Sequence, residues 1–475
     1  MRMNGNGRRD LVSLAVLAVL ALPAPLVAQV GSEFRVNTYT TGEQGYHQGS
    51  IAAAGTPATF VVVWEDPAKD GSSDGIFGQR FTNAPKPAPL GAEFRVNTTT
   101  AGSQRYPAVA AASSGSFVVV WQSISLDSSS SVMGQRFDAS GALAGPEFRV
   151  NTYTTTFGIN VGKSPAVASD ASGNVFVVWK SYHQDSSTYN IYGQRYASSG
   201  APQGGEFEVN TTTDIAQTEP SVAFAGGGGS AVVVWRDAFH DASGDIYGQR
   251  YSGSGAPLGG EFRVNTYALG GQYHPSVAAD SAGDFVVAWE SYNEYGVMNS
   301  IQARRFASSG APLLSGFRVD TSTGGLPQTT PKVASDENGN FIVAWQYPGT
   351  GTVLARRFTS TGAPHDAPFI VPSTSYFDSG RPAVANAGTA FVVVWDILSG
   401  LSGSREVFGK RYPGQGDIDG NGVTDVADVF YLINFLFAGG PAPIGFGDTS
   451  GNGNVDVADV FYLINYLFAG GPYPK

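Results

Sequence analysis

Near the C-terminal end of the chain, oxygen-bearing side chains fall at a spacing that selects a hard cation. Asp417, Asp419, Asn421, Asp425 and Asp428 take positions 1, 3, 5, 9 and 12 of one twelve-residue stretch, with Gly422 at position 6 and the Val423 carbonyl at position 7. Thirty-one residues later Asp448, Ser450, Asn452, Asp456 and Asp459 repeat the pattern, with Gly453 and the Asn454 carbonyl in the matching places. Ca²⁺ takes about six to eight oxygen ligands, and a glycine at position 6 permits the sharp turn that wraps them round it. Two ions are expected. Position 12 is Asp rather than Glu, so the last ligand reaches less far. Carboxylates gathered this closely repel one another without metal, so binding should drive folding here.

A second group of candidates lies upstream. Glu65, Asp66, Asp237, Glu290 and Asp396 follow tryptophans closely and are the candidate acid–base residues. Glycoside hydrolysis needs two carboxylates about 5–10 Å apart, a separation that sequence does not give. Tyr106, Tyr182, Phe239, Tyr273, Tyr292 and Tyr347 stand among polar residues in comparable segments, where rings stack on sugars or grip a peptide. The five histidines (47, 183, 240, 274 and 365) show no metal-ligand spacing, and no serine nucleophile motif occurs.

The elements that must position these groups are repeats. Phe-Val-Val-Ala-Trp, ending at Trp289, has near-copies ending at Trp64, Trp121, Trp179, Trp235, Trp345 and Trp395, spaced 50 to 58 residues apart. Each unit reads as four short strands separated by Gly, Ser, Asn and Pro turns, the signature of a propeller blade. The tryptophan strand is apolar without alternation, as a strand covered on both faces must be. The segment before it is rich in alanine, which suits the crowded axis of a ring. Glu-Phe-Arg-Val-Asn alternates, as an outer edge strand should. That outer segment first appears at residues 33–38, before any tryptophan strand, and is missing after Gly409-Lys410-Arg411-Tyr412. Residues 33–38 are therefore expected to complete the seventh blade and close the ring. Turns such as Asp280–Asp284 and Ser308–Pro312 are nearly uniform, whereas the segments after each tryptophan and before each inner strand vary. The variable segments share one face, where function borne on loops is expected.

Composition limits the rest. The formal net charge of −11 and the lack of a basic stripe argue against nucleic acid. There is no cysteine, so disulfides and thiolate chemistry are excluded. Arg2, Arg8 and Arg9, the apolar run 11–22 and the small residue Ala28 read as a signal peptide over residues 1–28. Export by the general or the twin-arginine route both fit, and no later segment is long and apolar enough to span a membrane.

The tandem loops, each followed by the same apolar helix, resemble a type I dockerin over residues 416–475. The resemblance implies the calcium ligands named above, two halves related by near two-fold symmetry, and docking onto a cohesin-like domain of a scaffold or cell-surface protein. Positions 10 and 11 of the loops, often used in partner choice, are Val426-Ala427 and Val457-Ala458, and the usual basic helix residues are replaced by Phe-Tyr-Leu-Ile-Asn. A helix apolar nearly all round is expected to be buried between the halves, on the propeller or in a partner. The expected organisation is mainly β: a signal peptide (1–28), a seven-bladed β-propeller (29–413) and a small α-helical dockerin-like domain (414–475). The expected function is a secreted binding or display protein whose propeller takes a carbohydrate or protein ligand. A polysaccharide-degrading hydrolase or lyase is the alternative, because dockerin-like modules are often joined to such enzymes, and a purely structural surface component is a third.

Overall fold

The computed structural model describes residues 33–474 except 40–48, 55–58, 68, 72, 127–128, 154–163, 183, 185–187, 214, 227–228, 239–243, 297, 322–325, 349–350, 373–379, 389, 400–403, 415, 421–423, 444–446, 451–453 and 472–473. The signal-peptide reading therefore lies outside the described residues, as do Phe239, Asn421, Val423 and Asn452.

Seven four-stranded antiparallel sheets make up the body of the molecule. Blade 5 is typical: an inner strand Gln272–Ala279, the tryptophan strand Phe285–Tyr292, a third strand Asn299–Phe306 and an outer strand Phe317–Arg318. Side chains alternate along the tryptophan strand between two seams. In blade 1, Val62 and Trp64 pack against blade 7, while Val61 and Val63 pack against blade 2. Seven such apolar clusters join neighbouring blades round the whole ring, which is why the strand is apolar at every position.

Blade 7 holds Ala383–Asn386, Ala390–Ser399, Ser404–Pro413 and, from the other end of the chain, Phe34–Arg35. Phe34 pairs with Gly409 and Arg35 with Phe408, so the ring closes as the count of segments requires. The Asn37 side chain seals this junction by accepting the Val407 N–H at 2.9 Å. Asn97, Asn151, Asn210 and Asn265 accept the equivalent N–H in their blades at 2.6 to 2.8 Å, and Asp320 does so at 2.7 Å. The outer glutamates bind between blades: Glu93 accepts from the Thr38 N–H at 2.9 Å and Glu147 from the Thr98 N–H at 2.7 Å.

Beyond the propeller lie two helices, α1 (Val426–Ala438) and α2 (Val457–Ala469). Each opens on a reciprocal aspartate cap, Asp425 with Asp428 and Asp456 with Asp459, and ends at a glycine in left-handed conformation. Val429, Leu432, Val460 and Leu463 form a small core with Ile418. Burial is only partial. Phe430 and Phe461 are both 65% exposed, and Phe437 and Phe468 both 68%. Among the described residues no helix is long and apolar enough to cross a membrane.

Candidate functional site: an axial funnel and a C-terminal acid cluster

The funnel begins with an irregularity that recurs from blade to blade. In blades 2, 4, 5 and 6 the inner strand runs past its proline by means of a one-residue bulge, as where Arg105 pairs with Gln122 but Ala108 with Val120. The residue before the proline takes up the distortion. Tyr106, Ser164, Glu219, His274 and Thr330 all have φ between 39° and 56°, each directly ahead of a proline. Sterics steer a pre-proline residue toward extended backbone, and positive φ in non-glycine residues costs about 1–3 kcal/mol each. Hydrogen bonds from the preceding blade hold three of them there. Glu65 accepts the Tyr106 N–H at 3.3 Å, Glu219 accepts that of His274 at 2.6 Å, and Glu290 accepts that of Thr330 at 3.2 Å.

These five residues and Arg381, which precedes Pro382, line a cavity of about 450 Å³ at the axis, on the face carrying the variable segments. Lys180 and Lys332 line it as well. Burial pushes the Lys180 ammonium down against the opposing pull of Glu219. Burial, reinforced by the Arg381 guanidinium and opposed by Glu219, brings Lys332 down to about 8.

The sequence-derived candidates are dispersed round this ring. Of the aromatic set, Tyr106 alone lines the axial cavity among the described residues. Tyr273 lies under the Arg236 guanidinium at 4.3 Å, Tyr182 packs on Tyr189 at 4.7 Å between ring centres, and Tyr292 is exposed. Tyr347 ends the tryptophan strand of blade 6. The five acid–base candidates lie on blades 1, 4, 5 and 7, and none lines the cavity. All are buried and engaged: Glu65 also faces Arg105 at 3.8 Å, Asp237 meets the Gln217 amide at 3.4 Å, Glu290 meets His274 Nδ1 at 3.1 Å and the Asn299 amide, and Asp396 pairs with Arg405. Asp66 is buried beside Glu65 on the same strand.

Lys332 and the pre-proline hydroxyls Ser164 and Thr330 are funnel residues that the sequence reading passed over. A signal existed. Lysine stands at 332 where the corresponding residue after the proline is Ala108, Ala166, Ser221, Ser276 or Ala383.

In the first C-terminal loop, carboxylate oxygens of Asp417, Asp419 and Asp428 lie within 4.8 Å of one another. Asp428 accepts backbone N–H groups from Ile418 at 2.6 Å, Asp419 at 3.0 Å and Asp425 at 2.8 Å, so it braces the loop as well as capping α1. Burial, with the nearby Asp419 charge, raises its carboxyl to about 7. Asp459 repeats the bracing, accepting from Ser450 at 2.8 Å and Asp456 at 2.8 Å. Asp425 and Asp456 spend one carboxylate oxygen on the Ala427 and Ala458 N–H groups, each at 2.7 Å. A carboxylate has lone pairs to spare after one or two such bonds. The donor set, hard oxygens brought together in a buried loop, therefore fits Ca²⁺. Asp417 is also near the Arg411 guanidinium of the last propeller strand, 3.7 Å away with both groups buried.

No protein-family model matches this sequence, and no curated protein does. Solved structures with a similar fold include a protein of unknown function from Dyadobacter fermentans, with 10% identity over 81% of this chain and 98% of that one, at a TM-score of 0.48. An α-L-arabinanase from Penicillium chrysogenum, complexed with arabinobiose, has 13% identity over 80% and 98% at 0.44. A PL25 ulvan lyase has 10% identity over 82% and 95% at 0.46.

Proposed function

We propose that the protein is an exported binding or display protein: the propeller holds a ligand at the axial funnel, and the C-terminal module tethers it to a partner in a calcium-dependent way. The observation that carries the binding role is the division of labour among charged groups. Of the carboxylates suited to catalysis, Glu65 and Glu290 are spent on the backbone of the next blade, and Asp237 and Asp396 on partners within their own. The cavity is lined instead by three cations with the single carboxylate Glu219, a serine hydroxyl and a tyrosine ring. Side chains pre-set by strained backbone favour recognition of one shape, because little ordering remains to be done on binding.

For the C-terminal module the reading is a dockerin-like calcium domain. Asp417, Asp419, Asp425 and Asp428 would hold one ion together with Asn421 and the Val423 carbonyl; Asp448, Ser450, Asp456 and Asp459 would hold the other with Asn452 and the Asn454 carbonyl. The ions would neutralise the gathered carboxylates and fix the loops against α1 and α2. Phe430 and Phe461, equally exposed on the two helices, offer an apolar face suited to a cohesin-like partner.

A polysaccharide-degrading enzyme remains the competing reading. A glycan-binding screen run beside a reducing-sugar release assay on the full chain separates them. Binding without turnover is the expected result. Turnover abolished by Asp237→Ala or Glu290→Ala would replace the binding role with catalysis.

A further inference from the structure

We propose that the axial funnel binds a saccharide through an oxyanion, a uronate carboxylate or a sulfate ester, held by Lys332 and Arg381 with Lys180 beside them. This deepens the reading of that face as the ligand site and rests on it.

The first ground is charge. Among the described residues lining the cavity, three cations, Lys180, Lys332 and Arg381, face a single carboxylate, Glu219. That carboxylate is already bonded to the His274 N–H at 2.6 Å. A chain with a net charge of −11 thus gathers an excess of positive charge at its axis. Arg105, next in sequence to the funnel residue Tyr106, is by contrast neutralised by Asp74 at 2.5 Å and Glu65 at 3.8 Å.

Lys332 is the second ground. It makes no hydrogen bond or ion pair with any described residue, although it is half-buried. Its position is occupied by alanine or serine in the other blades with a proline, so the ring does not need an ammonium there for packing. Desolvation and Arg381 both disfavour its charge, which an incoming anion would stabilise.

The remaining lining selects a sugar over a bare ion. The volume of about 450 Å³ lies within the roughly 300–1,000 Å³ usual for small-ligand sites. Ser164 offers a hydroxyl and Tyr106 a ring, the partners that a polyhydroxylated ligand needs.

The test is calorimetric titration of the full-length protein with tetragalacturonate, a sulfated galactan tetramer, neutral galactotetraose and a tetraglutamate peptide. One or both anionic tetramers should bind at least tenfold tighter than galactotetraose, and which is tighter names the oxyanion. That binding should weaken about tenfold or more in Lys332→Met, recover largely in Lys332→Arg, and fall as salt rises from about 50 to about 500 mM. Equal affinity for galactotetraose, unmoved by Lys332→Met, would overturn the anion assignment and leave the face as a ligand site. Tetraglutamate binding without either anionic saccharide would overturn the saccharide in favour of an acidic peptide. No binding by any of the four would overturn both this inference and the reading of the face.

Discussion

Glu219 of blade 4 accepts the backbone N–H of His274 in blade 5 at 2.6 Å, and both residues stand with positive φ directly before a proline. One carboxylate thus holds its neighbour's irregular backbone while sharing the cavity with it. Glu219→Ala should leave the His274 N–H without its partner and destabilise the protein by about 1–3 kcal/mol in urea unfolding. Glu219→Gln keeps an acceptor at that place and should recover most of the loss. Equal stability for wild type and Glu219→Ala would show that the bond contributes nothing.

Thr330 has φ 50° and a buried hydroxyl without a hydrogen bond, two costs at one β-branched residue. Glycine relieves both at the expense of some unfolded-state entropy. Thr330→Gly should therefore raise stability by about 1 kcal/mol, read as a shift in denaturant midpoint at unchanged slope. A loss of stability would mean that the backbone there is not strained.

Lys332 sets a pH dependence whose sign follows from its depressed titration. Below about 8 the ammonium is charged in both folded and unfolded chain, and the folded state bears the cost of burying it. Between about 8 and 10.5 the unfolded chain holds the proton and the folded one has released it, so stability rises with pH across that window. The charged and titratable groups round it are Arg381, Glu219, Lys180 and His274. Thermal melts of Lys332→Met should lose this rise. Binding of an anionic probe should weaken over the same interval in the wild type.

Ring closure depends on a glycine. A Cβ on Gly409 would lie 2.5 Å from the Phe34 ring, which covers it from the strand contributed by the other end of the chain. Gly409→Val should force that strand away and lower stability by about 1–3 kcal/mol, with residues 33–38 becoming the earliest site of proteolytic cleavage. Removing residues 33–38 should lower the melting temperature further. An unchanged melting curve in that deletion would show that the junction does not hold the ring.

The blades, their number and the join between chain ends are legible in the sequence because each rests on a counted repeat. Glu-Phe-Arg-Val-Asn appears once too early and once too few at the end, and only a closed ring reconciles the two. The funnel is far less legible. Tyr106-Pro107 and His274-Pro275 read as extended dipeptides, since local sterics favour that, and the bulge that reverses the expectation comes from bonds to Glu65 and Glu219 on other blades. For the same reason Glu65 and Glu290 look like free acids in sequence and are structural acceptors in the fold. A helix apolar nearly all round calls for cover between the halves, on the propeller or in a partner; the halves bury Val429, Leu432, Val460 and Leu463 and leave Phe430 and Phe461 exposed.

Those exposed rings and the acid cluster beside them should answer to one ion. Asp428 caps α1 with one carboxylate oxygen and braces residues 418 and 419 with the other, so a cation on Asp417, Asp419 and Asp428 would fix the loop and the helix together. Titrating calcium into metal-free full-length protein should show two sites, reduced to one by Asp417→Ala or by Asp448→Ala. Calcium should also protect residues 414–475 from protease, and chelator should reverse the protection. Phe430→Ser with Phe461→Ser should leave calcium binding intact, since neither ring enters the buried core, while abolishing capture by a cohesin domain. Failure of calcium to bind or protect would remove the metal from this module; capture that persists in the double variant would move the docking face elsewhere.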